Sequence, residues 1–458
     1  MLKLVALLAV VVLASAAPEA DLMGEMPGCK SNFKSYSGYL EVEEGKLLHY
    51  VFTESKSSPE NDPLVLWFNG GPGCSSMIGF MQENGPCVIE DGETQPHENE
   101  YSWNTNANML FLETPAGVGF TIAEKRFRYD DESISVDNYR ALVKWFEKFP
   151  EWKNHKVYLT GESYAGIYVP YLAWQIDNHN KNSSNLHINL QGWAVGNGVT
   201  DWEVDTIPAF VEMGWYHGLY PGQLKDSIVS NDCQYRTIGQ KPLSKVCRDN
   251  MHQFNIDVSH INFYDVYRDV LPEHEMGLDR LSYQLVDGEY KVYKVGRTMK
   301  EYTPWVPSTH ASEHQTLGDG LSHYLNREDV RKALNIPSKA PAWEQCSNID
   351  YTMLQKASLW IYQELKNKYK ILKYSGDTDG AVPTIGTERW INKLDWSVMR
   401  DYHAWFMDGQ VAGYNEVREG MEFTTIHGTG HMAPQWKRKP THTMFVSWLQ
   451  GKDLDDKP

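Results

Sequence analysis

Three side chains stand in an order that could carry nucleophilic catalysis: Ser163, an acid at 377 or 379, and His431. A serine hydroxyl attacks poorly until a base takes its proton, and the base needs a carboxylate to orient it. Ser163 lies in Gly161-Glu162-Ser163-Tyr164-Ala165-Gly166, a variant of the G-x-S-x-G turn with Ala165 in the second glycine's place. Asp377 and Asp379 both follow an apolar run ending at Tyr374, and residue types alone do not separate them. His427 and His431 follow a run ending near Ile426. His427 reads as part of that run, whereas His431 sits in the loop between Gly430 and Met432 and is the better-placed base. Capping serines, turn-forming acids and surface histidines are common, so spacing by itself leaves the chemistry open.

The elements around these residues are those such a site needs. Leu64 to Phe68 is an apolar run entering "NGGPG", and Asn108 to Leu112 is another entering "TPAGVGF". Tyr139, Leu142, Val143 and Phe146 recur at helical spacing, closed by Pro150. Val157–Thr160 and Ile188–Val195 follow as strands. This alternation predicts a mostly parallel sheet under helices, with ligands beyond the strands' carboxyl ends. From about Thr200 to Ser322 the rhythm breaks, which reads as an inserted cap. It then resumes with a helix capped by Asn326 and running to Leu334, two strands ahead of Asp377 and His427, and a last helix carrying Met444, Phe445, Trp448 and Leu449 on one face. The expected fold is the α/β-hydrolase fold, in which the chain order is Ser, acid, His. Its predicted parts are 17–199, an inserted cap at 200–322, and 323–458.

The first residues read differently. Met1-Leu2-Lys3, the apolar run Leu4 to Leu13 and Ala14-Ser15-Ala16 have the layout of a signal peptide, 1–16. That run falls short of the ~20 residues a membrane span needs. A soluble protein of the secretory pathway is expected, lysosomal, vacuolar or secreted. Asn182-Ser183-Ser184 is a glycosylation acceptor. Six cysteines in an oxidising compartment predict disulfides, and no C-x-x-C supports zinc. A net charge of −17 disfavours nucleic acid or anionic membrane as partner.

"NGGPGCSS", "GESYAG", "SGDTDGAVP" and "GTGHMAP", in that order, resemble the serine carboxypeptidases, as do "SWNTNANMLFLETPAGVGF", "AVGNG" and "VRKALNIP". The resemblance makes Ala165 an expected part of the serine turn. It implies Ser163 as nucleophile, Asp379 as orienting acid and His431 as base, with the Gly71 and Tyr164 N–H groups as oxyanion hole. It assigns the substrate's C-terminal carboxylate to Asn69, the Gly70 backbone, Glu83 and Glu162. It links Cys74 to Cys346. Cys233 and Cys247 share the cap and pair, which leaves Cys29 for Cys87. The implied activity is release of C-terminal amino acids from peptides and proteins through an acyl-enzyme, with no metal or cofactor. A homodimer is left open. Two glutamates facing a carboxylate require that at least one be protonated, which favours acidic pH. His431 must then resist protonation, through burial beneath the cap against the pull of Asp379. The alternatives are a related acyltransferase or esterase, or a protective binding role added to the peptidase.

Overall fold

The apolar runs become strands. In chain order they are β1 (Ser35–Glu43), β2 (Lys46–Thr53), β3 (Leu64–Phe68), β4 (Asn108–Leu112), β5 (Val157–Glu162), β6 (Leu190–Gly196), β7 (Lys370–Gly376), β8 (Val398–Met407), β9 (Gln410–Arg418) and β10 (Met421–Ile426). The structure is a computed structural model and describes residues 18–233, 244–269, 280–286, 289–295, 320–454 and 457. The expected signal peptide and part of the expected cap lie outside these residues.

The strands form one sheet in the order β1-β2-β4-β3-β5-β6-β7-β10-β9-β8, with Ile122–Ala123 pairing to β2 as an eleventh. The six central strands, from β4 to β10, are parallel, and the flanking pairs are antiparallel. A parallel sheet is covered on both faces, which is why β3 is apolar throughout and fully buried. Chain order reverses between β3 and β5: β4 lies to one side of β3 and β5 to the other. The loops leaving β3 and β5 therefore open into the crevice where doubly wound sheets bind ligands.

Helix α1 (Asp131–Lys148) begins with a reciprocal cap: Asp130 accepts from Ser133 N at 2.7 Å, and Ser133 Oγ accepts from Asp130 N at 2.9 Å. It buries Tyr139, Leu142 and Phe146, with Val143 packed at the edge of the same core. Helix α2 (Ala165–Asn180) starts directly after the Ser163 turn and is buried along most of its length. The last helix, Arg438–Gln450, buries Met444, Phe445 and Trp448 as its spacing suggests.

The helix expected after Asn326 is present as Glu328–Ala333 with Leu334 as its C-cap, but Arg327 and not Asn326 stands at its N-cap, and a separate short helix, Gly320–Leu325, precedes it. The Asn326 side chain is drawn to Trp343, accepting from its N–H at 2.7 Å and donating to its carbonyl at 2.9 Å. Arg327 takes the cap position. Between 200 and 322 the structure has local order that the sequence pattern hid. Helices Ile207–Tyr216, Gly222–Ser230 and Lys245–Asp257 pack around a hydrophobic cluster of their own that includes Phe210, Ile228, Met251 and Phe254. Arg280–Val286 and Glu289–Val295 form a hairpin that joins Asp350–Met353 and Arg128–Asp130 in a four-stranded sheet. Among the described residues no helix is long and apolar enough to cross a membrane.

Disulfides join Cys29 to Cys87, Cys74 to Cys346 and Cys233 to Cys247. The first closes just beyond Glu83. The second ties the loop after β3 to a segment 272 residues away, where Ser347 N donates to Gly73 O at 2.8 Å and Ser75 N to Gln345 O at 2.8 Å.

Candidate active site

Ser163 sits between β5 and α2 with φ 62°, the positive value that a sharp strand-to-helix turn imposes on a non-glycine residue. The turn is pinned on both sides: Ser163 N donates to Gly196 O at 3.1 Å, and Ser163 O accepts from Gly166 N at 2.9 Å and Val199 N at 3.1 Å. The small residues have separate tasks. A Cβ on Gly161 would lie 2.7 Å from the Ala165 Cβ, so strand and helix meet there with a methyl group to spare on one side only. Gly166 faces the chain at Gly198–Val199 at equally close range. Ala165 is thus compatible with the turn because Gly161 opposes it.

The two acid–histidine pairs left open by the sequence separate in space. His431 Nδ1 lies 2.7 Å from Asp379 Oδ2, with both side chains 0% exposed. Asp377 pairs instead with His427, at 2.7 Å, on the surface, where the His427 side chain is 60% exposed. Asp379 is held from three further directions: Ala381 N donates to Oδ1 at 2.7 Å, while Val382 N and Asn197 Nδ2 donate to Oδ2 at 3.1 and 2.9 Å. Asn197 also accepts from Gly376 N at 3.0 Å, locking the two loops together. His431 is covered from the 200–322 segment, the burial anticipated from sequence. The Tyr264 ring meets its imidazole edge-on at 4.5 Å, and His431 N donates to Tyr264 O at 2.7 Å.

The loop after β3 passes directly over the serine turn. A Cβ on Gly70 would stand 2.8 Å from the Ser163 Cβ and would collide with Tyr164 N. Gly70, the residue before Gly71, therefore lies directly against Ser163 and Tyr164. Asn69 uses its whole amide: Oδ1 accepts from Trp67 Nε1 at 2.8 Å and Gly79 N at 2.9 Å, and Nδ2 donates to Glu83 Oε1 at 2.8 Å and Glu162 Oε1 at 3.1 Å. Two obligate donors on Oδ1 fix the amide's orientation. Asn69, Glu83 and Glu162 are all buried beside Ser163. The structure thus pairs Asp379 with His431 and gathers Asn69, Glu83 and Glu162 next to the serine turn, and Gly196 and Asn197 link that turn to the Asp379 loop. Asn182 lies apart, exposed in the turn after α2, with Ser184 Oγ donating to its side chain at 2.8 Å.

Three supporting residues carried no decisive sequence signal. Asn197 lay inside "AVGNG" without a role, and Tyr264 was hidden in the irregular segment. Asp131, at the start of α1, accepts from Tyr164 Oη at 2.7 Å, Tyr351 Oη at 2.5 Å and Leu354 N at 2.8 Å. It anchors the residue after the serine by its side chain. Burial pushes the Asp131 carboxyl up from 3.8 to about 6, against the opposing pull of these three donors. Between those two values the folded chain keeps a proton that the unfolded chain has released. Stability from this group therefore falls as pH rises from ~4 to ~6, by on the order of 3 kcal/mol. In Asp131→Asn, urea midpoints measured from pH 4 to 7 should lose that part of the slope; a slope equal to wild type would show that Asp131 does not carry it.

The sheet and the serine turn define the class: this is an α/β-hydrolase fold. It superimposes on KEX1(Δ)p, a prohormone-processing carboxypeptidase from Saccharomyces cerevisiae, with a TM-score of 0.70 at 19% identity, covering 96% of this chain and 98% of that one. The chain belongs to the serine carboxypeptidase family, whose pattern matches residues 27–451. The lysosomal protective protein of Mus musculus is 35% identical over 455 residues, 95% of this chain and 94% of the mouse protein. Serine carboxypeptidase ctsa-4.1 of Caenorhabditis elegans is 35% identical over 458 residues, 96% and 95% of the two chains. The family expected from the motifs is the family found, and the chain is a serine-type carboxypeptidase.

Proposed function

We propose that this carboxypeptidase removes C-terminal residues through an acyl-enzyme on Ser163 and works best at acidic pH. His431 Nε2 takes the Ser163 proton as Oγ attacks the scissile carbonyl, while Asp379 holds Nδ1 and stabilises the imidazolium. The Gly71 and Tyr164 N–H groups receive the oxyanion, a kind of donation typically contributing ~3–4 kcal/mol per group. The imidazolium then protonates the departing amino acid, and water, activated by the same histidine, releases the shortened peptide.

The observation that carries the exopeptidase reading is Asn69, whose one amide group spans Glu83 and Glu162 next to the serine. Two carboxyls this close in a buried place do not both ionise cheaply. At acidic pH at least one keeps its proton and donates to the incoming carboxylate, with the Asn69 amide and the Gly70 backbone beside it. At higher pH the pair ionises and repels the same group. An acidic compartment of the secretory pathway, lysosome or vacuole, suits this chemistry, and one of the relatives is named as lysosomal. Three disulfides and the exposed acceptor Asn182 fit the same route. Peptide and protein C-termini are the proposed substrates.

A peptide panel incubated at about pH 5 and followed by mass spectrometry tests this. Stepwise C-terminal ladders are expected. Turnover of esters with peptides left intact would replace the peptidase reading with the esterase or acyltransferase one.

A further inference from the structure

Tyr374 is a buried polar side chain close enough to Glu162 and Glu83 to feel their charges, and the mechanism leaves it unused. In the register of the sheet, Glu162 on β5 is level with Gly196 on β6, and Gly196 is level with Tyr374 on β7. Residues level with one another in a parallel sheet project from the same face. With no side chain at 196, the Tyr374 ring lies down across β6. A Cβ on Gly196 would overlap the ring and stand 2.6 Å from its hydroxyl oxygen. The ring thus crosses the middle strand towards Glu162. Its hydroxyl is buried and has no hydrogen-bond partner among the described residues. An unpaired buried hydroxyl costs roughly 1–3 kcal/mol, so its retention calls for a use.

We propose that Tyr374 is a positioning residue of the carboxylate site: its hydroxyl, laid over Gly196, donates to the Glu162 carboxylate when that acid ionises and helps set the pH at which peptide binding is lost. This rests on the proposed role of Glu83 and Glu162. Burial, then the charges of Glu162 and Glu83, hold the phenol well above its ordinary value, so it remains a neutral donor across the working range. The other charged groups around it are accounted for. Asp379 and His431 are committed to each other beyond β7 and β10. Arg438 donates to the Gln82 carbonyl at 3.1 Å and pairs with Glu90. Lys373, the preceding residue of β7, donates to Gly198 O at 3.1 Å and is coupled electrostatically to Asp205.

A hydrogen bond donated to an ionised carboxylate favours ionisation, so its loss raises the pH at which the acid pair gives up its proton. Tyr374→Phe keeps the ring and removes only the donor. In this variant the alkaline limb of kcat/KM for a peptide with a free C-terminus should move upward by about one pH unit. The profile for an ester lacking that carboxylate should stay where it is in wild type. A peptide limb that does not move, or peptide and ester profiles changing together, would overturn the proposal. Glu83→Gln with Glu162→Gln, run alongside, separates the two levels. If the double variant moves the limb and Tyr374→Phe does not, only the role of Tyr374 fails; if neither moves it, the acid-pair reading itself fails.

Discussion

Ser163→Ala should lower kcat for peptide hydrolysis by about a million-fold, the loss seen when a nucleophilic serine is removed from a working triad. The structure gives the substitution little else to disturb. The serine turn is held by backbone bonds to Gly196, Gly166 and Val199, none of which uses the hydroxyl. Alanine can take the same turn at the cost of its positive φ, which serine already meets. Peptide affinity, measured by titration of the inactive protein at pH 5, should stay within a few-fold of the wild-type competition value. Retention of even a hundredth of the activity would show that another group attacks the substrate.

Asp379→Asn should lower kcat by about 10⁴-fold, because an amide facing His431 Nδ1 favours the wrong tautomer. It also meets a second obstacle. Both carboxylate oxygens of Asp379 already accept hydrogen bonds, from Ala381 N on one and from Val382 N, Asn197 and His431 on the other. Whichever way an amide turns, its NH₂ group faces a donor, so a fall in stability of ~1–3 kcal/mol should accompany the loss of rate. Asp377→Asn is the matched control, since its partners His427 and Gly428 N lie at the surface. Its kcat should stay within a few-fold of wild type. Equal losses in the two variants would remove the distinction between the inner and outer pairs.

That distinction marks how far the sequence could be read. β3 and β4 match their runs residue for residue because a strand buried on both faces is apolar, apart from Asn108 at the start of β4, whose amide is hydrogen-bonded to Ser55 N, Pro59 O and Asp62 O. The ends of such strands locate the loops, and the loops locate Ser163, the two acids and the two histidines. The choice between Asp377 and Asp379 was not legible from residue types, because it depends on which acid Asn197 and the Ala381 and Val382 backbones can reach. The Asn326 cap was misplaced for a related reason: Trp343, 17 residues away, takes the side chain that local rules assign to the cap, and Arg327 starts the helix. Tyr374 could not be recognised either. Its direction depends on a glycine in a strand nearly 180 residues earlier, and only the register of the assembled sheet brings the two together. The irregular segment from 200 concealed its helices because their apolar residues gather mainly in a cluster of their own, separate from the main core.

The claim that a buried acid pair receives the substrate's C-terminus is tested most directly by one peptide made in two forms, free acid and C-terminal amide. Their kcat/KM values should be compared at pH 5 and again near pH 7.5. At pH 5 the free acid is expected to be preferred by about 10–100-fold, the worth of one charge-assisted hydrogen bond or more. The preference should shrink towards pH 7.5 as Glu83 and Glu162 ionise. Equal rates for both forms at pH 5, or a preference that grows with pH, would contradict it.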